Sequence, residues 1–419
     1  MEYIKKEMSA YNLHLIKTNK FKTIMVRVVF QRPIKKEEIT IRNVLCDMFL
    51  QSSKKYNCKR ELTIKAQDLY AADISTANTR LGNYINTNFY LTVLNDKYTE
   101  EGNFESGIEF LSEIIFNPDV NNGKFSSKKL DVVKTNCRSS LNSVKEDASN
   151  YSVMRMFEEL DNKSPFSYRM SGYLEDLDLV NEENLYEYYQ SMIKSDLVDI
   201  FVIGDIKEDE VVSLFREHFK LRTLKKRKGD FLLPDVAAKN RRKVSKEEID
   251  NSQSNLAIAA RVHGLSEYER NYPLTLFNII FGGGCDSKLF KEVREEHSLC
   301  YTVHSIPNKL DNVLIIKAGI DRGNFAKTME IIEKDLNDMK KGKFKDSDIL
   351  IAKEYFETAI EETEESQHRI IDNYLMMELI GTDSLEEKRK KMSKVTKREI
   401  VKVAKKVKID TVFLLEGGK

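Results

Sequence analysis

Arg294 and Tyr301 are the two side chains whose types and placement best suit chemistry in this sequence. They lie seven positions apart in the stretch YERNYPLTLFNIIFGGGCDSKLFKEVREEHSLCYTVHS, which runs from Tyr268 to Ser305. One is a fixed cation and the other a phenolic donor. The helix–strand boundary between them can fold back, so both could point into one space. The usual catalytic sets are missing around them. A zinc hydrolase needs two or three N, O or S ligands converging on the metal, with a base beside its water. The histidines, His14, His218, His263, His297, His304 and His368, include no pair at the helical spacing of four, and each reads as a surface or satisfied side chain. No two cysteines make a C-x-x-C, and no G-x-S-x-G elbow presents a serine. Cys46 and Cys300 sit in apolar settings, where a thiol is usually packing. FGGGCDSK follows a helix rather than a strand and lacks G-K-[ST], which argues against a phosphate loop. The acidic run Glu361-Glu362-Thr363-Glu364-Glu365 reads as a solvated helix face rather than paired acid/base carboxylates.

The elements that must position Arg294 and Tyr301 follow from periodicity. Leu274, Phe277, Ile280 and Phe281 recur at helical spacing. Gly282, Gly283 and Gly284 then break the pattern, as residues free to take positive φ would. Asp286 or Ser287 can cap a second helix with Leu289, Phe290 and Val293 on its apolar side. After Ser298 the pattern alternates, which places Tyr301 and Val303 on one face of a strand. From composition alone, Arg294 would pair with Glu295 or Glu296 and Tyr301 would be core.

The whole chain is 419 residues, enough for two or three domains. Lys+Arg total 68 against 67 Asp+Glu, so no overall field favours nucleic acid or an anionic membrane. Five cysteines without a close pair suit a reducing compartment. The first residues show no apolar core of signal-peptide length, and no run approaches the roughly 18 apolar residues of a membrane span. A cytoplasmic protein is expected. Leu13–Lys17 and Thr23–Phe30 read as strands of a hairpin around Thr18-Asn19-Lys20, and Ile39–Leu50 and Glu61–Leu69 as helices. Phe125–Glu159 reads as a long helical region interrupted near Asp147, and Leu197–Gly204 as a buried strand. The stretch 223–246, with LKKRKGD and NRRK, reads as a solvated basic linker rather than a binding patch.

After it the same order of elements returns. Gly323-Asn324-Phe325 follows Gly102-Asn103-Phe104 at an offset of 221, and Leu299–Ser305 follows Leu69–Ser75 at 230. Phe344–Lys353 follows Phe125–Lys134 at 219, and Thr411–Gly417 matches the strand Leu197–Gly204. The reading is a duplicated α+β domain, with halves 1–222 and 247–419, each a mainly antiparallel sheet covered by helices on one face.

The duplicated halves and the segment Gly282–Ser305 resemble the pitrilysin/insulinase family of zinc metallopeptidases. Its C-terminal halves carry a pattern GGG-x-S-x-LF-x-E-VRE-x-x-L-x-Y-x-V-x-S. The sequence matches it at Gly282, Gly283, Gly284, Ser287, Leu289, Phe290, Glu292, Val293, Arg294, Glu295, Leu299, Tyr301, Val303 and Ser305. Active members carry H-x-x-E-H on the first helix of the N-terminal half. Those positions fall here on Asn43, Cys46 and Asp47, so both ligand histidines and the general base are replaced. Cys46 and Asp47 point roughly 100° apart on a helix and cannot share a metal face. The third ligand of the family is expected near Ser127–Asp131. The resemblance implies no metal in this chain and zinc in a homologous partner subunit with an intact H-x-x-E-H. In such pairs the zinc-free subunit supplies an Arg and a Tyr to the partner's active site, at positions matched by Arg294 and Tyr301. The glycines Gly282–Gly284 would lie against the peptide substrate. The stretch LTIKAQDLYAADISTANTRLGNYINTNFYLTVLNDKY looks most like a Gram-positive subgroup named for association with 5-aminopentanol modification of elongation factor P. The alternative is a non-enzymatic peptide-binding or scaffold protein that kept the fold.

Overall fold

The computed structural model describes residues 1–221 and 231–418. Residues 223–230 of the expected linker lie outside them. The chain divides into one unit of Met1–Asn142 and Arg169–Asp230 and a second of Ser143–Tyr168 and Phe231–Lys419.

The first unit is built on strands β1 (Glu2–Glu7), β2 (Asn12–Lys17), β3 (Thr23–Pro33), β4 (Asp73–Leu81) and β5 (Tyr84–Leu94), a small hairpin of β6 (Val120–Asn121) and β7 (Lys124–Phe125), and β8 (Leu197–Gly204). The main sheet has the order β1-β2-β8-β3-β5-β4. All its pairings are antiparallel except β2 with β8. The expected hairpin of β2 with β3 does not form. β8 lies between them, and its nearly continuous apolar run suits a central strand covered on both sides. Alternate residues of these strands, Leu13, Leu15, Val26, Val28, Phe30, Phe89, Leu91, Ile200 and Val202, join one core with helices α1 (Ile39–Met48), α2 (Lys59–Asp68), α3 (Asn103–Phe116) and α4 (Ser127–Asn142). The opposite face carries buried polar groups, among them His14, Arg27, Gln31, Asn88 and Asp199.

The helical region expected over Phe125–Glu159 is interrupted where the sequence indicates. Asp147 caps α5 (Ala148–Leu160), its side chain accepting from the Asn150 amide. α5 belongs to the second unit, against the sheet face formed by Ala257, Ala259, Val313, Phe413 and Leu415. The first unit continues with α6 (Leu174–Leu179), α7 (Glu182–Ser195) and α8 (Glu208–His218).

The second unit has strands β9 (Lys243–Ile249), β10 (Ser254–Val262), β11 (Cys300–Asn308), β12 (Val313–Ile320) and β13 (Val407–Gly417), in the order β11-β12-β10-β13-β9. β9 begins inside the stretch read as linker. It is an edge strand, pairing parallel with β13, and its lysines and glutamates suit an edge that faces water. Its helices are α9 (Glu267–Asn271), α10 (Pro273–Gly282), a π-helical segment Phe290–Glu296, α11 (Phe325–Lys340), α12 (Asp346–Glu364), α13 (Gln367–Ile380), α14 (Leu385–Ser393) and α15 (Lys397–Lys406). Strand for strand, β4-β5-β3-β8-β2 and β11-β12-β10-β13-β9 have the same order and the same directions, with one parallel pair each. The glycines before α3 and α11, Gly102 and Gly323, both stand at φ 91°, a conformation glycine takes without strain. Among the described residues no helix is long and apolar enough to cross a membrane.

Candidate functional site

The two places where chemistry was expected are α1 in the first unit and the run from α10 to β11 in the second. On α1, each motif position is occupied by a group whose needs are met nearby. The Asn43 amide Nδ2 donates to the Met170 carbonyl at 2.7 Å, and its Oδ1 accepts from Asn78 Nδ2 at 2.8 Å. Cys46 is 4% exposed, and burial pushes its thiol up to about 12, far from the thiolate that binds metal or attacks carbon. Asp47 is exposed on its residue surface, yet partial burial of its carboxyl raises its pKa, and it accepts from the Cys137 thiol at 3.5 Å. Cys137, on α4, is therefore the residue facing Asp47. Asp131, in the range expected for a third ligand, is exposed about two turns earlier on the same helix. Sequence reasoning missed Cys137 because its position depends on how α4 packs on α1.

Beside the motif lies a buried charge cluster. Arg42 is fully buried, donating to Asp196 at 2.8 Å, to Thr87 at 2.7 Å and to the Phe30 carbonyl at 3.0 Å. Arg32 donates to the other Asp196 oxygen at 2.6 Å. These groups fix α1 to the sheet. They do not offer ligands.

The described residues bring three metal-ligating side chains within 4.8 Å of one another only at Glu105, Glu109 and His218, on α3 and α8. His218 Nε2 is buried and lacks a partner among the described residues. The distance of 109 positions between Glu109 and His218 hid this grouping from spacing rules.

In the second unit the glycines do not act as expected. None of Gly282, Gly283 and Gly284 has positive φ; α10 runs through Gly282, and Gly283 has φ −87° and ψ 0°. They are needed for close approach instead. A Cβ on Gly282 would stand 2.6 Å from Ser305 Oγ and 2.8 Å from Leu289, and one on Gly283 would stand 2.8 Å from the Ile279 Cα. This closeness lets Ser305 on β11 donate to Asn278 on α10 at 2.7 Å inside the core. A Cβ on Gly284 would meet only Tyr355, at 3.5 Å. Gly284 also lines a cavity of about 370 Å³ with Lys288, Glu292 and Tyr355.

The segment after the glycines starts as expected. Ser287, almost fully buried, accepts from the Phe290 amide at 3.4 Å. The turns Phe290–Glu296 are π-helical, a rare form that gathers at functional sites. Val293 is buried, while Arg294 is exposed and lies over the Phe290 ring at 4.8 Å. No ion pair holds the Arg294 guanidinium among the described residues, so the local pairing with Glu295 or Glu296 is not made. The segment closes through Ser298, at φ 51°, with the Leu299 amide donating to the Val293 carbonyl at 3.0 Å.

Strand alternation fails at Tyr301 for a structural reason. Cys300 pairs with Ile320 and Thr302 with Gly319, so Tyr301 is the extra residue of a β-bulge. The bulge parts it from Val303, which is 4% exposed, and leaves Tyr301 73% exposed. Tyr301 is not core. Arg294 lies close enough to Cys300 for its charge to favour the thiolate there, although burial still pushes that thiol up to about 11. Arg294 and Cys300, the residue beside Tyr301, are thus neighbours, and the Arg294 and Tyr301 side chains are exposed.

Residues 180–356 match the peptidase M16 inactive domain. The probable inactive metalloprotease YmfF of Bacillus subtilis is 29% identical over 99% of this chain and 97% of its own length. A conserved protein from Enterococcus faecalis shares the fold with a TM-score of 0.92 and 27% identity, over 99% of both chains. A peptidase M16 inactive domain from Pseudomonas fluorescens has a TM-score of 0.80 at 13% identity, covering 100% of this chain and 98% of its own.

Proposed function

We propose that this chain is a non-catalytic homologue of the peptidase M16 metallopeptidases, which its similarity to the peptidase M16 inactive domain supports, and that it is the zinc-free subunit of a two-chain endopeptidase. Its partner is a homologous chain with an intact H-x-x-E-H, and the substrate is a peptide. Arg294 and Tyr301 are this chain's contribution to the partner's site. The observation that carries the reading is the exposed Tyr301 on its bulge, with Arg294 also exposed and without an ion pair among the described residues, in a chain whose Asn43 has both ends of its amide engaged and whose Cys46 is buried. A phenol at this position would donate to the oxyanion that develops on the peptide carbonyl. A guanidinium holds carbonyl oxygens of the substrate backbone or orients the phenol. Zinc supplies the activated water and is held by the partner. In this chain Asn43, Cys46 and Asp47 do not fit it: an amide with both ends engaged, a protonated buried thiol and a carboxyl turned to Cys137.

Gly282 and Gly283 serve packing, which leaves Gly284 as the glycine open to a bound chain. The pathway is peptide processing in the cytoplasm, and the elongation factor P subgroup is the setting that the sequence resemblance favours. The test is co-expression with the zinc-bearing homologue. Only the co-purified pair is expected to cleave an unstructured peptide, with one zinc per pair and none in this chain alone. A stable pair without activity, or binding of peptides by this chain with no need of the homologue, would favour a scaffold. One zinc per isolated chain would overturn the proposal.

A further inference from the structure

One cavity in the second unit has neither Arg294 nor Tyr301 on its walls. It has a volume of about 970 Å³, at the upper end of the range for small-molecule sites, and is set around the far end of β11, beneath α12 and α13. Lys309, on its wall, is eight residues beyond Tyr301, roughly 25 Å along the chain at about 3.3 Å per residue. The body of the cavity is apolar, with Leu310, Ile315, Phe356, Ile360, Met376 and Ile380 on its walls. One side is basic and has unspent donors. Among the described residues Lys309 has only the Asn271 carbonyl, at 3.3 Å, and Lys388 only the side-chain oxygen of Asn373, at 2.5 Å. Arg270 Nε and Thr382 Oγ1 are buried on the same wall, and neither has a partner among the described residues.

The acids on the wall do not hydrogen-bond the Lys309 and Lys388 amines among the described residues. Asp383 is engaged by the Tyr272 hydroxyl and by Lys391. Glu267 and Asp372 also line the cavity, the charge of Asp383 acts on Lys388, and Arg369 is paired with Glu362 at 2.6 Å. Burial and the charge of Lys388 bring the Lys309 amine down to about 8, and burial lowers Lys388 as well. Two amines held near each other in this way gain most from a buried anion. An apolar body with a cationic end selects one ligand chemistry.

We infer that this cavity is a binding site for an organic carboxylate with an apolar body, its carboxylate held by Lys309, Lys388 and Arg270 and its tail among the aliphatic side chains. A fatty carboxylate and the free C-terminus of an apolar peptide share this chemistry. Calorimetric titration of the full chain with decanoate and with the tripeptide Leu-Leu-Leu separates the two sources. Decan-1-ol and the tripeptide amide are the neutral controls. Whichever carboxylate is the ligand is expected to bind one per chain, about tenfold or more tighter than its neutral analogue, as loss of a charge-assisted contact predicts. The double variant Lys309→Met/Lys388→Met should lose that preference and keep the weak affinity for the neutral analogue. Ala359→Trp, an exposed position on the wall, should block both ligands without changing the thermal midpoint. The inference is overturned if neither carboxylate binds the folded chain. It is equally overturned if acid and neutral analogue bind alike, or if Ala359→Trp leaves binding intact.

Discussion

The two halves of this protein share strand order and directions, yet they use the equivalent ground differently. In the first half, α1 engages two of its polar groups in structure: Asn43 ties two segments together and Arg42 sits with Asp196 beneath the helix. In the second half, the run from α10 to β11 is packed through its glycines and then turns outward, with Arg294 and Tyr301 in solvent. At the offset that aligns Leu69 with Leu299, the counterpart of Tyr301 is Ala71, a small residue at φ 57°. At the offset that aligns Gly102 with Gly323, the counterpart of the buried Asp335 is the buried Ile114. The first half spends Arg42 and Asn43 on packing, and the exposed pair Arg294 and Tyr301 stands in the second.

The contrast can be broken from either side. The largest stability effect belongs to the first half. Asp196→Asn leaves Arg42 fully buried without its counter-charge, and a loss of about 3–5 kcal/mol is expected in chemical denaturation. A loss under 1 kcal/mol would mean that α1 is not fixed by this pair. Next comes Gly282→Ala, which must displace the hydrogen-bonded Ser305 and should cost about 1–3 kcal/mol. Gly284→Ala should stay within about 0.5 kcal/mol, and equal costs would show that the glycines do not divide into packing and open positions.

A smaller effect than that of Asp196→Asn is in the pH dependence. Asp335 is fully buried beside Glu292, with Lys288 at 3.8 Å, and neither of its oxygens has a donor among the described residues. Burial and the neighbouring carboxylate raise its pKa to about 7, so the two acids hold one proton between them. The folded state then binds more protons than the unfolded one between about pH 4 and pH 7, and stability falls as pH rises through that window. Asp335→Asn supplies the missing donor permanently. It should remove the fall and raise stability at pH 8 by on the order of 1–2 kcal/mol. An unchanged pH profile would show that the proton is not shared.

Much of this was legible in the residues, for reasons that can be named. Helical and alternating periods placed α1, α3, α10 and β8, because a buried stripe repeats with the backbone. The duplication was visible because glycine at positive φ, as at Gly102 and Gly323, resists replacement. Three features were hidden because they depend on neighbours far along the chain. β8 separates β2 from β3, α5 leaves its half to cover the second sheet, and Cys137 faces Asp47. The bulge at Tyr301 was hidden for a different reason. Alternation assumes one residue per ladder step, and an extra residue reverses everything before it.

The central claim is that the second half completes a site whose metal belongs to another chain. It is tested most directly by the steady-state cleavage of an unstructured peptide by the co-purified pair, comparing this chain with its Tyr301→Phe variant. Tyr301 is exposed, so the substitution leaves the fold, the pairing and the zinc content unchanged. Removal of an oxyanion donor predicts a fall in kcat of about 100-fold or more. Full activity of the variant pair would contradict the account.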